Sequence, residues 1–379
     1  MPALRNDIDP DGLLEYSVVF TDRSLNHMSQ AFQGVMRDIH ATLCEVYNAE
    51  TAVVIPGGGT YAMEAVARQF ATGHKVMVIR NGFFSYRWTQ IFEAGSIPAE
   101  EIVLNAQRQG DAIDAPFAPH PIEGVVARIK AEKPDFVFAP HVETASGIIL
   151  PDDYLKAVAD AVHEVGGLFV LDCIASGCVW VDMEAVGVDV LISAPQKGWS
   201  APPSSGLVMM RKDALARCRA EKSTSYAADL GKWLTIMEAY LGGGHAYHAT
   251  MPTDALRAFH GAMMETREIG FETLRRAQWE QGNSARAMLA KRGVKSVAAK
   301  GFEAPGVVVC YTADPEIHNG KKFAAQGLQT AAGVPLMVGE GDDYKSFRIG
   351  LFGLDKLKDV PASLARLEVV FDTVFQPAA

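Results

Sequence analysis

The feature that most limits the fold of this chain is an alternation of short apolar segments with amphipathic stretches between Thr51 and Met210. The apolar segments are rich in β-branched residues and too continuous for a sheet with one wet face, which predicts buried parallel strands joined by helices. The predicted strands are Thr51–Ile55, Lys75–Ile79, Asp135–Ala139, Gly167–Leu171, Val188–Ser193 and Gly206–Met210. The pattern therefore indicates an α/β fold built on a mostly parallel sheet.

The second half of the chain predicts a smaller domain. The chain has 379 residues, and a single hydrophobic core stops growing at roughly 250–300 residues. A glycine-poor stretch from Pro252 to about Ala290 predicts a helix that links two domains, and Gly306–Thr312 and Lys345–Leu351 predict strands beyond it. We therefore expect the following parts: an N-terminal arm (1–20), a large domain (21–255) and a small C-terminal α+β domain (256–379).

Composition excludes several classes of function. Aspartate and glutamate number 45 against 35 lysines and arginines, so the net charge of −10 argues against a nucleic-acid partner. No apolar run approaches the ~20 residues that cross a bilayer, and the N-terminus lacks the apolar core of a signal peptide. We expect a cytoplasmic protein without a membrane partner. The 5 cysteines show no paired CxxC spacing, which predicts reduced thiols and no zinc cage.

A glycine-rich turn follows the first predicted strand. Gly57–Gly59 precede Thr60 and an amphipathic stretch, and such a turn lets backbone N–H groups and the helix dipole hold an anion. The run Gly-x-Gly-x-x-Ala from Gly57 also fits the loose dinucleotide pattern, with Arg80 placed where an NADP-binding arginine is found. A P-loop is excluded, since no Gly-Lys-Ser/Thr follows. A phosphate cradle, a dinucleotide site and a turn without a ligand all remain open at this point.

Two charged residues follow later strands. Asp172 comes directly after one predicted strand, and Lys197 follows the next in Ala194-Pro195-Gln196-Lys197-Gly198. Because ligands bind at the carboxyl edge of an open parallel sheet, we expect both residues to face the same crevice as the glycine turn. A lysine for a Schiff base, a carboxylate for the pyridinium nitrogen and a helix N-terminus for the phosphate are the groups that pyridoxal phosphate needs. Considered separately, Asp172 is better explained as the N-cap of a helix and Lys197 as a solvated loop residue.

Together, the motifs around these residues resemble the class V aminotransferases of the fold-type I pyridoxal-phosphate enzymes, especially the alanine–glyoxylate and serine–glyoxylate (serine–pyruvate) group. The resemblance runs from about residue 27 to residue 371. Its most specific parts are Asp172–Ser176 and Ser193–Gly198, whose aspartate and lysine are 25 positions apart. The resemblance implies a large domain with a mostly parallel seven-stranded sheet, a smaller C-terminal domain, bound pyridoxal 5′-phosphate and a homodimer with the site at the subunit interface.

The resemblance also implies roles for individual residues. Lys197 is similar to the lysine that forms the aldimine, Asp172 to the partner of the pyridinium nitrogen and Arg348 to the arginine that binds the substrate carboxylate. The other cofactor-binding residues that it implies are Gly58, Gly59 and Thr60 at the phosphate, Phe84 and Ile174 on the two ring faces, Thr144, Gln196, and Tyr247 and Thr250, which reach the partner subunit's phosphate. Gly58 stands where a serine is common, and residues 13–23 replace the family's N-terminal turn. No metal site is expected.

The implied reaction is transfer of an amino group from alanine or serine to glyoxylate or pyruvate. Within the same cofactor class, the alternatives are a 2-aminoethylphosphonate–pyruvate-type transaminase and a desulfurase-type lyase. The lyase is disfavoured because it needs a cysteine on a mobile loop, whereas Cys310 lies in a strand-like segment. Outside that class, an NADP-binding oxidoreductase remains, based on the glycine turn and Arg80.

Overall fold

The structure, a computed structural model, describes residues 5–375, so the first four residues of the predicted arm and the last four of the predicted small domain lie outside the described residues. The strands are β1 Thr51–Pro56, β2 Lys75–Arg80, β3 Glu100–Asn105, β4 Gln107–Arg108, β5 Phe117–Ala118, β6 Phe136–Pro140, β7 Val142–Glu143, β8 Ile148–Ile149, β9 Leu168–Asp172, β10 Val190–Ser193, β11 Ser205–Met210, β12 Val307–Tyr311, β13 Ala331–Ala332 and β14 Ser346–Gly350. The helices are α1 Gln30–Tyr47, α2 Gly59–Val66, α3 Phe83–Gly95, α4 Ile122–Glu132, α5 Asp152–Glu164, α6 Met183–Val186, α7 Lys212–Ala220, α8 Leu230–Leu241, α9 Thr253–Ile269, α10 Phe271–Lys291, α11 Pro315–His318, α12 Lys321–Ala325, α13 Leu354–Leu357 and α14 Val360–Val374. A π-helical turn, Ala67–Ala71, continues α2.

The large sheet has seven strands in the order β1-β11-β10-β9-β6-β2-β3. Only β11 runs antiparallel to its neighbours; the other strands point the same way. The predicted strands are all present in this sheet, and the predicted fold class is confirmed. Prediction missed β3, because this edge strand is half exposed and begins with two glutamates instead of an apolar run.

The central strands are buried along almost their whole length, as expected for a sheet covered by helices on both faces. Aromatic side chains fill the layer between sheet and helices: Phe138 lies 4.7 Å from Trp88 between ring centroids and 5.3 Å from Phe92, both on α3. This packing fixes the start of α3 over the carboxyl edge of the sheet. Among residues 5–375, no helix combines the length and the apolarity needed to cross a bilayer.

The link between the domains differs from the prediction. In place of a single helix to about Ala290, the chain forms α9 and α10, which are separated by Gly270 with φ +99°. Leu256 and Phe259 of α9 are buried in the core of the large domain, whereas Leu289 of α10 is buried in a separate cluster with β12 and β14. The packing therefore changes at Gly270, whereas a domain boundary at 255/256 stays a prediction.

The small domain contains the two strands that were predicted for it. β12 and β14 pair antiparallel, with Val309 opposite Arg348, and β13 pairs with the other edge of β14. The helices α10 and α14 cover one face of this sheet. As a result, Arg348 is carried by the central strand of the small sheet.

At the amino edge of the large sheet, His163 of α5 forms an ion pair with Asp189. Its Nε2 lies 2.7 Å from Asp189 Oδ2, which also accepts the Phe169 N–H at 2.8 Å. The hydrogen bond that His163 donates to Asp189, together with the Asp189 charge, raises the pKa of His163 against the opposing effect of burial. The protonated imidazole is therefore held more tightly in the folded chain than in the unfolded chain.

A pH-dependent contribution to stability follows. Because the pKa of His163 is raised on folding, its contribution is fully present below the unfolded value of about 6.5 and is lost as the pH rises through the folded value. We expect His163→Gln to lower the free energy of unfolding more at about pH 5.5 than at about pH 8.5. Urea unfolding of both proteins at the two pH values measures this; an equal loss at both would contradict it.

Candidate active site

The glycine turn lies between the end of β1 and the start of α2. Gly57 has φ +121° and donates its N–H to the Ser204 carbonyl at 3.0 Å. Gly58 precedes the helix in extended conformation, and a Cβ built there meets no atom within 4 Å. The first N–H groups of a helix have no partner within the helix, and no side chain caps α2. The turn therefore presents free backbone donors and the positive end of a helix dipole to open space.

Asp172 ends β9 beside this turn. Its Oδ1 accepts the Ile174 N–H at 2.9 Å, which directs Ile174 toward Gly59; a Cβ on Gly59 would lie 2.5 Å from Ile174 Cδ1. Burial raises the pKa of Asp172 to about 7; the Glu143 charge acts in the same direction, and Arg87 and Lys197 oppose it. A cation that approached this carboxylate would be strongly attracted, because the site is shielded from water.

Lys197 lies in the turn after β10. Burial lowers the pKa of its amine, Arg348 and Arg87 lower it further, and Asp172 opposes them. The Nζ atom lies 5.2 Å from the ring centroid of Phe352. A lysine in these surroundings has a larger neutral fraction than a solvated one, which makes its amine a better nucleophile and base.

The next residue, Gly198, holds this turn against the loop after β9. A Cβ at Gly198 would lie 2.1 Å from the Gly177 carbonyl oxygen, so only glycine fits there. The Cys178 thiol donates to the Gly198 carbonyl at 3.4 Å. These contacts hold the backbone of Lys197 and that of Asp172's loop together.

Phe84 lies between two arginines. The guanidinium carbon of Arg87 is 5.1 Å from the Phe84 ring centroid, and that of Arg348 is 5.5 Å from it. Arg87 donates from Nη1 to Thr60 Oγ1 at 3.0 Å, and Arg348 donates from Nε to the Ala332 carbonyl at 2.8 Å. Arg348 belongs to the small domain and Phe84 to α3, so the site lies between the two domains.

Glu143 anchors the start of α3. Its carboxylate is fully buried and accepts the N–H groups of Phe84 at 3.2 Å, Ser85 at 2.8 Å and Ala145 at 2.9 Å, and the Ser85 hydroxyl at 2.7 Å. Burial raises the pKa of Glu143, and these donors oppose the rise. The carboxylate thereby caps α3 and orients the turn that carries Phe84.

The structure brings most of the predicted site residues to the carboxyl edge of the sheet. Thr144 is buried in the turn after β7, and the buried Gln196 Oε1 has no hydrogen-bond partner. Tyr247 and Thr250 are exposed and hydrogen-bond to each other at 3.1 Å. No hydrogen bond or ring contact among residues 5–375 joins either of these two to Lys197 or Asp172.

Sequence reasoning missed two residues at the site. Phe352 was not predicted, although it lies four positions after Arg348; a Cβ at Gly306 would lie 2.8 Å from its ring. Arg87 lies three positions after Phe84 but was assigned no role from the sequence. In the described part of the chain, no group of three or more His, Cys, Asp and Glu residues is placed to hold a metal ion.

Solved structures share this fold. An aspartate aminotransferase of subgroup IV from Thermus thermophilus superposes with a TM-score of 0.74 at 26% identity and covers 93% of both chains. An alanine–glyoxylate aminotransferase from Nostoc sp. superposes with a TM-score of 0.77 at 21% identity, over 92% of this chain and 89% of that chain. The architecture predicted from the sequence is therefore confirmed.

Curated relatives match at 26% identity, and no family model matches the chain. A 2-aminoethylphosphonate–pyruvate transaminase from Salmonella paratyphi B is 26% identical over 343 residues, 88% of each chain. A protein from Anabaena cylindrica described as a soluble hydrogenase 42 kDa subunit is 26% identical over 354 residues, which are 91% of this chain and 87% of that protein.

The close packing at Gly198 is directly testable. We expect Gly198→Ala to lower the free energy of unfolding by about 1–3 kcal/mol, because the added methyl group overlaps a backbone carbonyl. The control is Gly34→Ala in α1, where a Cβ meets nothing within 4 Å; it should be neutral or stabilising by up to about 1 kcal/mol. Urea unfolding compares the two variants, and equal effects would show that the Gly198 contact does not constrain the turn.

Proposed function

We propose that this chain, which has the fold of the class V aminotransferases of fold type I, is a pyridoxal-phosphate-dependent aminotransferase. The resemblance identified in the sequence is confirmed by aminotransferases that match 88% and 93% of the chain. Relatives of this fold use pyridoxal phosphate. The hydrogenase name of the Anabaena protein is not extended to this chain, because the groups at the sheet edge support transamination.

The observation that carries the proposal is the convergence of Lys197, Asp172 and the glycine turn at one edge of the sheet. The two charged groups are close enough for each to shift the pKa of the other. Ile174 links them to the turn, since its backbone binds Asp172 and its side chain covers Gly59. A nucleophilic amine, a buried carboxylate and an anion cradle are thus present in one crevice.

These residues fit pyridoxal phosphate. The N–H groups of Gly59 and Thr60, with the Thr60 hydroxyl, would hold the phosphate, and Ile174 and Phe84 would contact the two ring faces. Unpartnered polar atoms are available to the ligand as well: Gln196 Oε1 and both amide atoms of Asn81 are buried without hydrogen bonds. Burying such groups without a partner costs free energy that a polar ligand recovers. Thr144 would contact the cofactor from the turn after β7.

When bound, the cofactor supplies a carbonyl carbon for the substrate amine and a ring that accepts electrons from the substrate Cα. Lys197 is the residue that would hold the cofactor covalently, and its amine is the base that would take the proton from the substrate Cα. Its lowered pKa supports both roles, because each requires a neutral amine. Phe352 beside Nζ keeps water from this amine.

Asp172 would hold a proton on the ring nitrogen. Burial raises the pKa of this carboxylate to about 7, and no cation within residues 5–375 is its ion-pair partner. A protonated ring nitrogen supplies that partner and restores the charged form of Asp172. Glu143, through its bonds at the start of α3, would keep Phe84 over the ring.

Arg348 would bind the substrate carboxylate with a bidentate pair of N–H groups, a geometry that a lysine does not provide. Its Nε is used by the Ala332 carbonyl, so the terminal nitrogens remain for the substrate. The family resemblance implies small substrates. We propose alanine or serine as donor and glyoxylate or pyruvate as acceptor.

We also propose that the enzyme acts as a homodimer. Tyr247 and Thr250 are exposed in this chain and follow Gly242–Gly244, where Gly243 has φ +79°. A second subunit would bury them and bring them to its own phosphate site, as the family resemblance implies. A cytoplasmic location stays a prediction.

The alternatives fit the site less well. If the protein were a desulfurase-type lyase, Cys310 would be the nucleophile. Cys310 is buried in β12, however, and burial raises the pKa of its thiol to about 12. In the NADP reading, Arg80 would bind a phosphate, but it stacks on Tyr86 at 4.7 Å and bonds to Thr89 at 2.6 Å. A 2-aminoethylphosphonate–pyruvate transaminase remains as the second candidate, since several relatives at 26% identity carry that name.

Arg348→Ala separates the two candidates. If Arg348 binds the α-carboxylate, the single-turnover rates of the amino-acid and keto-acid half-reactions should both fall, by roughly 10- to 100-fold, because a charge-assisted contact is lost. With a phosphonate donor, which lacks that carboxylate, the amine half-reaction should persist while the keto-acid half falls. The cofactor absorbance should not change.

Arg366→Ala is the matched control, since Arg366 is an exposed residue of α14 and forms no side-chain hydrogen bond or ion pair within residues 5–375. It should leave both rates unaltered. If neither half-reaction changes in Arg348→Ala, the carboxylate is bound by another residue and the assigned role of Arg348 is wrong.

A further inference from the structure

Arg87 has no role in the reaction described so far, yet its side chain points at the start of α2. It donates from Nη1 to Thr60 Oγ1 at 3.0 Å, and its guanidinium lies over Phe84. Thr60 belongs to the first turn of α2, two positions after the open position at Gly58. Arg87 thus connects the helix that carries Phe84 with the helix that begins at the glycine turn.

The positive charge of Arg87 is uncompensated. Among residues 5–375, no carboxylate oxygen lies within 4 Å of its guanidinium, whereas Arg68 on the neighbouring helical segment pairs with Glu64 at 2.8 Å. The Arg87 charge also lowers the pKa of both Asp172 and Lys197, so its guanidinium lies within electrostatic range of both groups. This arginine is therefore part of the site, although it forms no ion pair there.

This placement is electrostatically unfavourable unless an anion binds beside it. The N-terminus of α2 carries the positive end of the helix dipole, and a guanidinium bonded to Thr60 adds a full positive charge there. Lys197 and Arg348 bring two more cations to the crevice of a chain whose net charge is −10. A dianion at the turn would relieve this repulsion and accept the remaining guanidinium N–H groups.

We propose that Arg87 is a cofactor-binding residue that holds the phosphate of pyridoxal phosphate together with Thr60 and the N–H groups of α2. The inference rests on the proposed function and adds a residue to its phosphate site. Arg87 supplies from α3 the contact that the missing side chain at Gly58 does not make. Its guanidinium gives the phosphate a charge-assisted bond, which is stronger than a hydroxyl contact.

The test compares pyridoxal phosphate with pyridoxal, which lacks the phosphate. Dissociation constants of both compounds are measured by absorbance titration of the cofactor-free full-length protein. We expect Arg87→Gln to raise the dissociation constant of pyridoxal phosphate by roughly 10- to 100-fold, the range for a lost hydrogen bond to a charged group. Pyridoxal binding should not change. Inorganic phosphate should compete with pyridoxal phosphate in the wild-type protein and compete less well in the variant.

Two further variants make the result specific. Arg87→Lys keeps the charge without the planar fork, so it should recover part of the lost affinity. Arg128→Gln removes an arginine on α4 that pairs only with Glu132 at 3.2 Å on the surface, and it should bind both compounds as the wild type does. Circular dichroism of each variant checks that it is folded.

The outcomes separate the two proposals. If the wild-type protein binds neither compound, the proposed function fails and the Arg87 inference fails with it. If the wild-type protein binds pyridoxal phosphate and Arg87→Gln binds it equally well, only the Arg87 inference is overturned. An equal loss for pyridoxal phosphate and pyridoxal would also overturn it, since Arg87 would then act by supporting Phe84.

Discussion

Every group assigned to the site depends on one constraint: six strands of the large sheet point the same way, so their carboxyl ends meet at one edge. The chain leaves the layer of helices and strands at that edge, and backbone groups there lack partners in the sheet. The glycine turn follows β1, the Phe84 helix follows β2, Asp172 ends β9 and Lys197 follows β10. Residues that are far apart in the sequence therefore become neighbours: β9 and β10 pair directly, and β1 and β2 reach the same edge from other positions in the sheet.

The charges at this edge depend on one another. Asp172 and Glu143 are buried carboxylates with raised pKa values, and Lys197, Arg87 and Arg348 are the cations whose charges face them. None of the cations forms a close ion pair with either carboxylate among the described residues. The charged groups of the crevice can therefore pair with a ligand. Ligand groups of opposite charge, such as a phosphate, a carboxylate and a protonated ring nitrogen, complete the pairs. This complementarity explains why an acidic protein concentrates positive charge in one place.

Much of the fold could be predicted because buried parallel strands are apolar throughout, and the position of Asp172 and Lys197 followed from the ends of those strands. The edge strand β3 could not be predicted in this way, since its glutamates interrupt the apolar pattern. The break at Gly270 was missed because the residues on both sides of it suit a helix. Two separate helices are needed only because α9 and α10 pack against different cores. Phe352 and Arg87 were missed for a related reason: their importance comes from contacts across domains or helices that no local pattern encodes.

The central claim is that Lys197 is the lysine that bonds to the cofactor. The protein is incubated with pyridoxal phosphate, reduced with borohydride, digested, and its peptides are mapped by mass spectrometry. Lys356 is the competing site, because burial lowers its pKa as well and its amine bonds to the carbonyl of Phe352, the residue beside Lys197. The account predicts the pyridoxyl group on Lys197 alone. A label on Lys356 or any other lysine, with Lys197 unmodified, would contradict it.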